Sequence, residues 1–145
     1  MKDLRIVLCT GIDKASKLKA LEAAKATAPK YRAGVGLHIY DFWPALQEVA
    51  QEKGFMGTRE TITELPPRDL RMLRELACYR IADKFDSDIA DEPERTNQVA
   101  VVLTRTVAPS PSGFIPTLDE THLVFDPEAC ISVIDNVEQI GRAHV

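Results

Sequence analysis

From Leu4 to Leu18 the chain reads LRIVLCTGIDKASKL: an almost unbroken apolar run, a Thr-Gly turn, and then helical spacing. A strand that is apolar without alternation is covered on both faces, as central strands of parallel sheets are. This segment therefore asks for a sheet with helices above and below it. The prediction is a strand over Leu4 to Thr10 and a helix opening at Asp13 or Lys14. That helix carries Ala15, Leu18, Leu21 and Ala24 on one side and should end before Pro29.

The turn between the two elements has the layout of a phosphate-binding loop, G-x-x-x-x-G-K-[ST]. In such a loop inward-pointing amides, a lysine and a metal-holding hydroxyl surround the phosphates. Here the eight positions are Gly11, Ile12, Asp13, Lys14, Ala15, Ser16, Lys17 and Leu18. The first glycine and the lysine match; Ser16 stands for the second glycine, and Leu18 for the hydroxyl. Ser16 narrows the approach of backbone to phosphate, and Leu18 cannot hold Mg²⁺. Asp13, just ahead of a helix, can satisfy the amides that a phosphate would use. Thr10 to Leu18 are the candidate nucleotide-binding residues, and Lys17 the candidate contact to transferring phosphate, against the reading of an ordinary first-turn lysine.

Further along, Leu37 to Tyr40 reads as a short strand after a loop over Lys30 to Gly36. Phe42 to Lys53 reads as an amphipathic helix with Pro44 in its first turn and Gly54 as its stop. Phe55 to Leu65 is a connecting segment. A third helix starts at Pro66-Pro67 and runs to about Asp83 with Leu70, Leu73, Ala77 and Ile81 buried. Asp86 to Asn97 is acidic and reads as a surface loop. Gln98 to Thr104 and Ala129 to Ile134 read as core strands, and Val107 to Thr117 as a proline-rich loop. This order predicts an α/β fold of three layers around a mostly parallel sheet.

Composition narrows the partners. At 145 residues and 45% hydrophobic content the chain suits one globular domain. A formal charge of −4 without a long basic run argues against nucleic acid or an anionic membrane, and for small molecules or proteins. Cys9, Cys78 and Cys130 are far apart and lack metal-ligand spacing. Cys9 and Cys130 lie in apolar surroundings suited to buried thiols. With no signal-peptide pattern and no bilayer-length apolar run, the expected setting is cytoplasmic.

The middle of the chain carries a more specific pattern. Glu48 to Glu52 reads EVAQE, Leu76 to Ala82 LACYRIA, Val99 to Val102 VAVV, Pro111 to Pro116 PSGFIP, and Asp126 to Glu128 DPE. In this order, after the phosphate-type loop, these runs resemble the archaeal type of adenylate kinase over essentially Leu4 to Asp135. The resemblance implies a P-loop nucleoside-monophosphate kinase fold, with ATP at the loop and a monophosphate acceptor held by the helices between Phe42 and Asp83. It also marks departures. The family's aspartate at the end of the third strand, near Mg²⁺, is Leu103 here, and a glycine that typically opens the acceptor-site helix is Trp43. The arginine-bearing lid would begin beyond Asp135.

Two functions follow as expectations. One is phosphoryl transfer from ATP to a nucleoside monophosphate, with Lys17 and Arg105 as the catalytic candidates and Mg²⁺ held by substrate phosphates and water, since its expected protein ligands are absent. The other is a catalytically inactive P-loop relative that binds a nucleotide or a protein partner. Arg105 is read as the grip on acceptor phosphate because it stands just past a strand's C-terminal end; a rim arginine is the plainer reading. Arg68, Arg71, Arg74 and Arg80 read mostly as a solvated, salt-bridged face. Phe42 and Trp43 could stack on a base or fill core. His38 has no carboxylate or cysteine near it in sequence and is given no ligand role; Thr10 and Thr104 are hydroxyls near the phosphates. Ile140 to Val145, IGRAHV, matches a peptide encoded by a common sequencing adapter. The domain is accordingly taken as 1–139, with 140–145 a non-native tail and the natural C-terminal part missing.

Overall fold

A computed structural model describes residues 5–11, 14–31, 35–90, 97–104, 107–110, 113–116, 125, 127 and 129–133. Strand β1 (Arg5–Gly11) leads into helix α1 (Lys14–Tyr31), and β2 (Val35–Asp41) passes straight into α2 (Phe42–Glu52). A short α3 (Arg59–Thr63) and the long α4 (Pro67–Ala90) precede β3 (Asn97–Leu103). A hairpin of β4 (Val107–Ser110) and β5 (Gly113–Pro116) precedes β6 (Ala129–Val133). The main sheet has the order β2-β3-β1-β6, and all of its pairings are parallel. The fold is therefore α/β with a parallel sheet, as the unbroken apolar run of β1 requires.

The topology explains the layers. The chain steps outward from β1 past β3 to β2 and then returns from β2 to β3. Because parallel crossovers are right-handed, these opposite steps put their helices on opposite faces. Side chains divide with the period of two that a strand imposes. Ile6, Leu8, Tyr40, Ala100 and Val102 join the core built with α2 and α4. Cys9, Val101 and Leu103 join Leu21 of α1 on the other face, with Leu18, Leu37, Ile39 and Val99 packed against them.

Several elements differ from the sequence reading. Helix α1 does not stop before Pro29 but runs on to Tyr31. A proline so near a helix end forfeits only one internal hydrogen bond in an otherwise alanine- and lysine-rich segment. Just upstream the Thr27 hydroxyl donates to the Ala23 carbonyl at 3.0 Å, a contact that bends helices. Helix α4 extends through the acidic stretch assigned to a loop, because Phe85 and Ile89 continue the stripe of Ile81 at four-residue steps and are buried. The rest of that loop, 91–96, lies outside the described residues.

The connecting segment after Gly54 contains α3, whose N-cap Thr58 accepts from the Thr61 amide at 3.3 Å. The expected loop over Val107 to Thr117 includes the antiparallel β4–β5 pair. Prolines are tolerated there because each strand of a two-stranded ribbon has an unpaired edge. Gly113 opens β5 at a φ of 113°. Gly54 ends α2 at a φ of 87°; the Gly54 amide donates to the Gln51 carbonyl, and the Phe55 amide to that of Ala50. Cys9 is buried as expected, whereas Cys130 is exposed. It lies on β6, an edge of the described sheet.

Candidate functional site

Neighbouring strands β1 and β3 send the chain in opposite directions from their C-terminal ends, one toward β2 and the other toward β6. Such a switch point opens a crevice where parallel sheets take ligands. Cys9 pairs with Leu103 in the ladder, and one step further the Thr104 amide donates to the Cys9 carbonyl at 3.0 Å. Thr10 and Thr104, at the floor of this edge, are both buried. Gly11 is the last residue of β1, and Lys14, Ala15, Ser16 and Lys17 make the first turn of α1. The first amides of that turn have no partner within the helix. Ile12, Asp13 and Arg105 lie outside the described residues, as does 134–145.

The two hydrocarbon departures meet. Leu103 is buried in the cluster between sheet and α1, and Leu18 packs against that same cluster. The P-loop pattern places a metal-holding hydroxyl at the position of Leu18, and the resemblance an aspartate near Mg²⁺ at that of Leu103. The side chains that stand there seal α1 to β3 instead and offer no oxygen to a cation. The opening amides of a helix such as α1 suit an anion; Leu18 and Leu103 do not fit a protein-ligated metal.

On the other side of β3, Asp41 ends β2 and caps α2, accepting from the Trp43 amide at 3.2 Å. Phe42 is buried in the core and Trp43 is half-buried against it. The Arg59 guanidinium at the start of α3 lies 5.8 Å from the centre of the indole. The Gln47 side-chain amide donates to the Gly57 carbonyl at 2.8 Å, tying α2 to the segment that carries Arg59. Trp43 thus joins core on one side and a cation on the other, where the sequence offered core or base stacking as alternatives.

The α4 arginines do not form one face. Arg80 makes ion pairs with Glu48, at 3.2 Å, and with Glu52, both on α2. The Arg80 guanidinium holds the Glu52 carboxyl below the usual carboxylate range. Arg68 and Arg71 are exposed, but Arg74 is only 2% exposed. It falls four residues after Leu70 and four before Cys78 on the stripe that packs inward, so helical phase overrides its charge.

A second polar group lies between β2 and the C-terminal half of α4. The Tyr40 hydroxyl donates to Asp88 at 2.7 Å, and His38 Nε2 is 2.6 Å from the Gln98 carboxamide oxygen. The Phe85 ring packs on both, with centroids 5.6 Å from His38 and 6.1 Å from Tyr40. His38 therefore has a partner that no local pattern could reveal, since Gln98 is on another strand. Gly36 makes this possible: a Cβ there would collide with the Gln98 side-chain oxygen. Burial, then the bond to Asp88 and its charge, push the Tyr40 hydroxyl well above the ordinary tyrosine range.

A folded-state value above the unfolded one of about 10 means that Tyr40 contributes fully below that pH. The contribution falls as pH rises beyond it. Tyr40→Phe is expected to cost about 1 kcal/mol at neutral pH. It should also flatten the alkaline fall in stability, as read by urea unfolding between neutral pH and strong alkali. An unchanged alkaline profile would show that the hydroxyl carries no such linkage.

Among the described residues no helix is long and apolar enough to cross a membrane. No protein-family model matches the chain, and no curated protein does either.

Proposed function

We propose that this chain is an adenylate-kinase-like nucleotide-binding protein of the P-loop type. It takes ATP phosphates at the β1–α1 turn, Thr10 to Leu18, and a nucleoside monophosphate beside α2, α3 and α4, in a cytoplasmic setting. The observation that carries this reading is that β1 ends on Thr10 and Gly11 and α1 opens at Lys14, beside the switch point between β1 and β3. There the amides of an opening helix and its positive dipole end favour an anion. Phosphoryl transfer to the monophosphate, with Lys17 and Arg105 at the phosphates, is the activity this reading assigns.

A second reading, a relative that binds nucleotide or a protein partner without transferring phosphate, is favoured by Leu18 and Leu103 packing in one apolar cluster. Phosphoryl transfer depends on positioning and on charge stabilisation around the metal-bound phosphates, and hydrocarbon supplies neither. Calorimetry with ATP, with and without Mg²⁺, followed by a coupled ADP-formation assay with AMP, separates the readings. ATP binding with ADP formation supports the kinase; ATP binding without turnover selects the second reading. Absence of ATP binding rejects nucleotide recognition and leaves a protein-interaction module.

A further inference from the structure

We propose that the outward face of α4 is an association surface whose occupant is a second copy of this chain, the two helices lying antiparallel about a two-fold axis. The proposal is independent of the nucleotide reading. Helix α4 buries Leu73, Ala77, Ile81 and Phe85 in the core it shares with α2 and the sheet. On its opposite side Met72 is 40% exposed and Tyr79 51% exposed, with the half-buried Leu76 between them. Steps of four and then three residues put these side chains on one line along a helix. Isolated apolar side chains at a surface are ordinary; a line of three on one helix is a seam of the kind by which helices pair.

The charges at the two ends of that line choose the occupant. Arg68 stands one turn before Met72 and Asp83 one turn after Tyr79, and both are exposed. The line thus runs from a cation through apolar side chains to an anion, and is complementary to itself when reversed. An axis between Glu75 and Leu76 sets Met72 opposite Tyr79 of the second copy. The same register sets Arg68 opposite Asp83 of the second copy, because both pairs are centred on one point of the helix. Parallel alignment would instead bring each charge against its own kind. Glu75 is the like charge beside the axis, and Arg71, one turn before it, offsets it. On the flank toward α2, Arg80 is held by Glu48 and Glu52 and stays out of the seam. Two exposed apolar side chains and one half-buried one make a small patch, so the association is of the weak, transient class.

Sedimentation velocity on the full chain, from about 10 µM to about 1 mM, reads the association. The expected result is a weight-average sedimentation coefficient that rises with concentration toward that of a dimer. Tyr79→Ser, Arg68→Asp and Asp83→Arg are each expected to weaken self-association about tenfold or more, with unchanged circular dichroism showing that the fold is kept. The mixture of Arg68→Asp with Asp83→Arg tests the register. Each variant alone sets like charges together, whereas the mixed pair carries opposite charges at both ends and is expected to recover the wild-type affinity. A monomer at every concentration overturns the proposal and leaves the stripe to 134–145 of this chain or to a different partner. Association that the three variants leave unchanged, or a mixture that recovers nothing, overturns it equally, since the copies would then meet elsewhere or in another register.

Discussion

Phe85→Ala is expected to remove about 3 to 5 kcal/mol of stability, the usual cost of deleting a fully enclosed aromatic side chain. The ring is 0% exposed and lies against both His38 and Tyr40. Its loss opens a cavity at the centre of the α4–sheet contact. It also withdraws the surface on which the Tyr40–Asp88 and His38–Gln98 hydrogen bonds are laid. Urea unfolding monitored by circular dichroism measures the change, with Asp86→Ala as a companion on the exposed side of the same turn. That companion is expected to stay within about 0.5 kcal/mol of wild type. Equal effects from the two variants would contradict the helical phase described for α4 and return 84–90 to a loop.

Leu103→Asp comes next in size, with a loss of at least about 3 kcal/mol expected. It places a carboxylate among Cys9, Leu21 and Val101, with Leu18 adjoining, a cluster whose described members offer a buried charge no compensation. Leu103→Met keeps the volume and is expected to cost less than about 1.5 kcal/mol. The pair of variants distinguishes a residue held for packing from a position that tolerates polarity. A small loss for Leu103→Asp would mean that water reaches the end of β3, and the apolar seal between α1 and the sheet would have to be abandoned. The same variant bears on the proposed function: an acidic group at position 103 does not by itself make a metal-related site, because Leu18 supplies hydrocarbon to the same cluster. Leu18→Thr with Leu103→Asp is the combination in which the two effects should fail to add, since both residues belong to one cluster.

What could be read from the sequence and what could not follows from the range of the forces involved. Strand β1, the stripe Leu70, Leu73, Ala77 and Ile81, and the stop at Gly54 are set by spacing or by one residue's conformational freedom, and all are found where expected. Phe85 and Ile89 carried the same spacing signal, but the surrounding aspartates and the later Pro93 suggested a loop. Burial of two side chains outweighs the exposed charges between them. The proline at position 29 and those of the β4–β5 hairpin acted as breakers only in expectation, because each occupies a place where the missing amide has little to lose. Arg74 shows the converse: residue type pointed outward while helical phase points inward.

At the candidate site, the glycine and helix start were visible in local order, as was hydrocarbon at Leu18 and Leu103, where the P-loop pattern and the resemblance place polar groups. That those two leucines join one cluster was not, since they are brought together only by the crossover of the chain. The same applies to His38 beside Gln98, on paired strands. Pairs distant in sequence leave no periodic trace; these two needed the sheet order, and Arg59 over Trp43 needed the path of 53–58.

Strand β2 ends at Asp41 and helix α2 begins at Phe42, with no residue between them. A strand that becomes a helix without an intervening residue leaves no hinge at that point, and the Asp41 cap locks the change of direction. Helix α2 is consequently an outgrowth of the sheet and moves only with it.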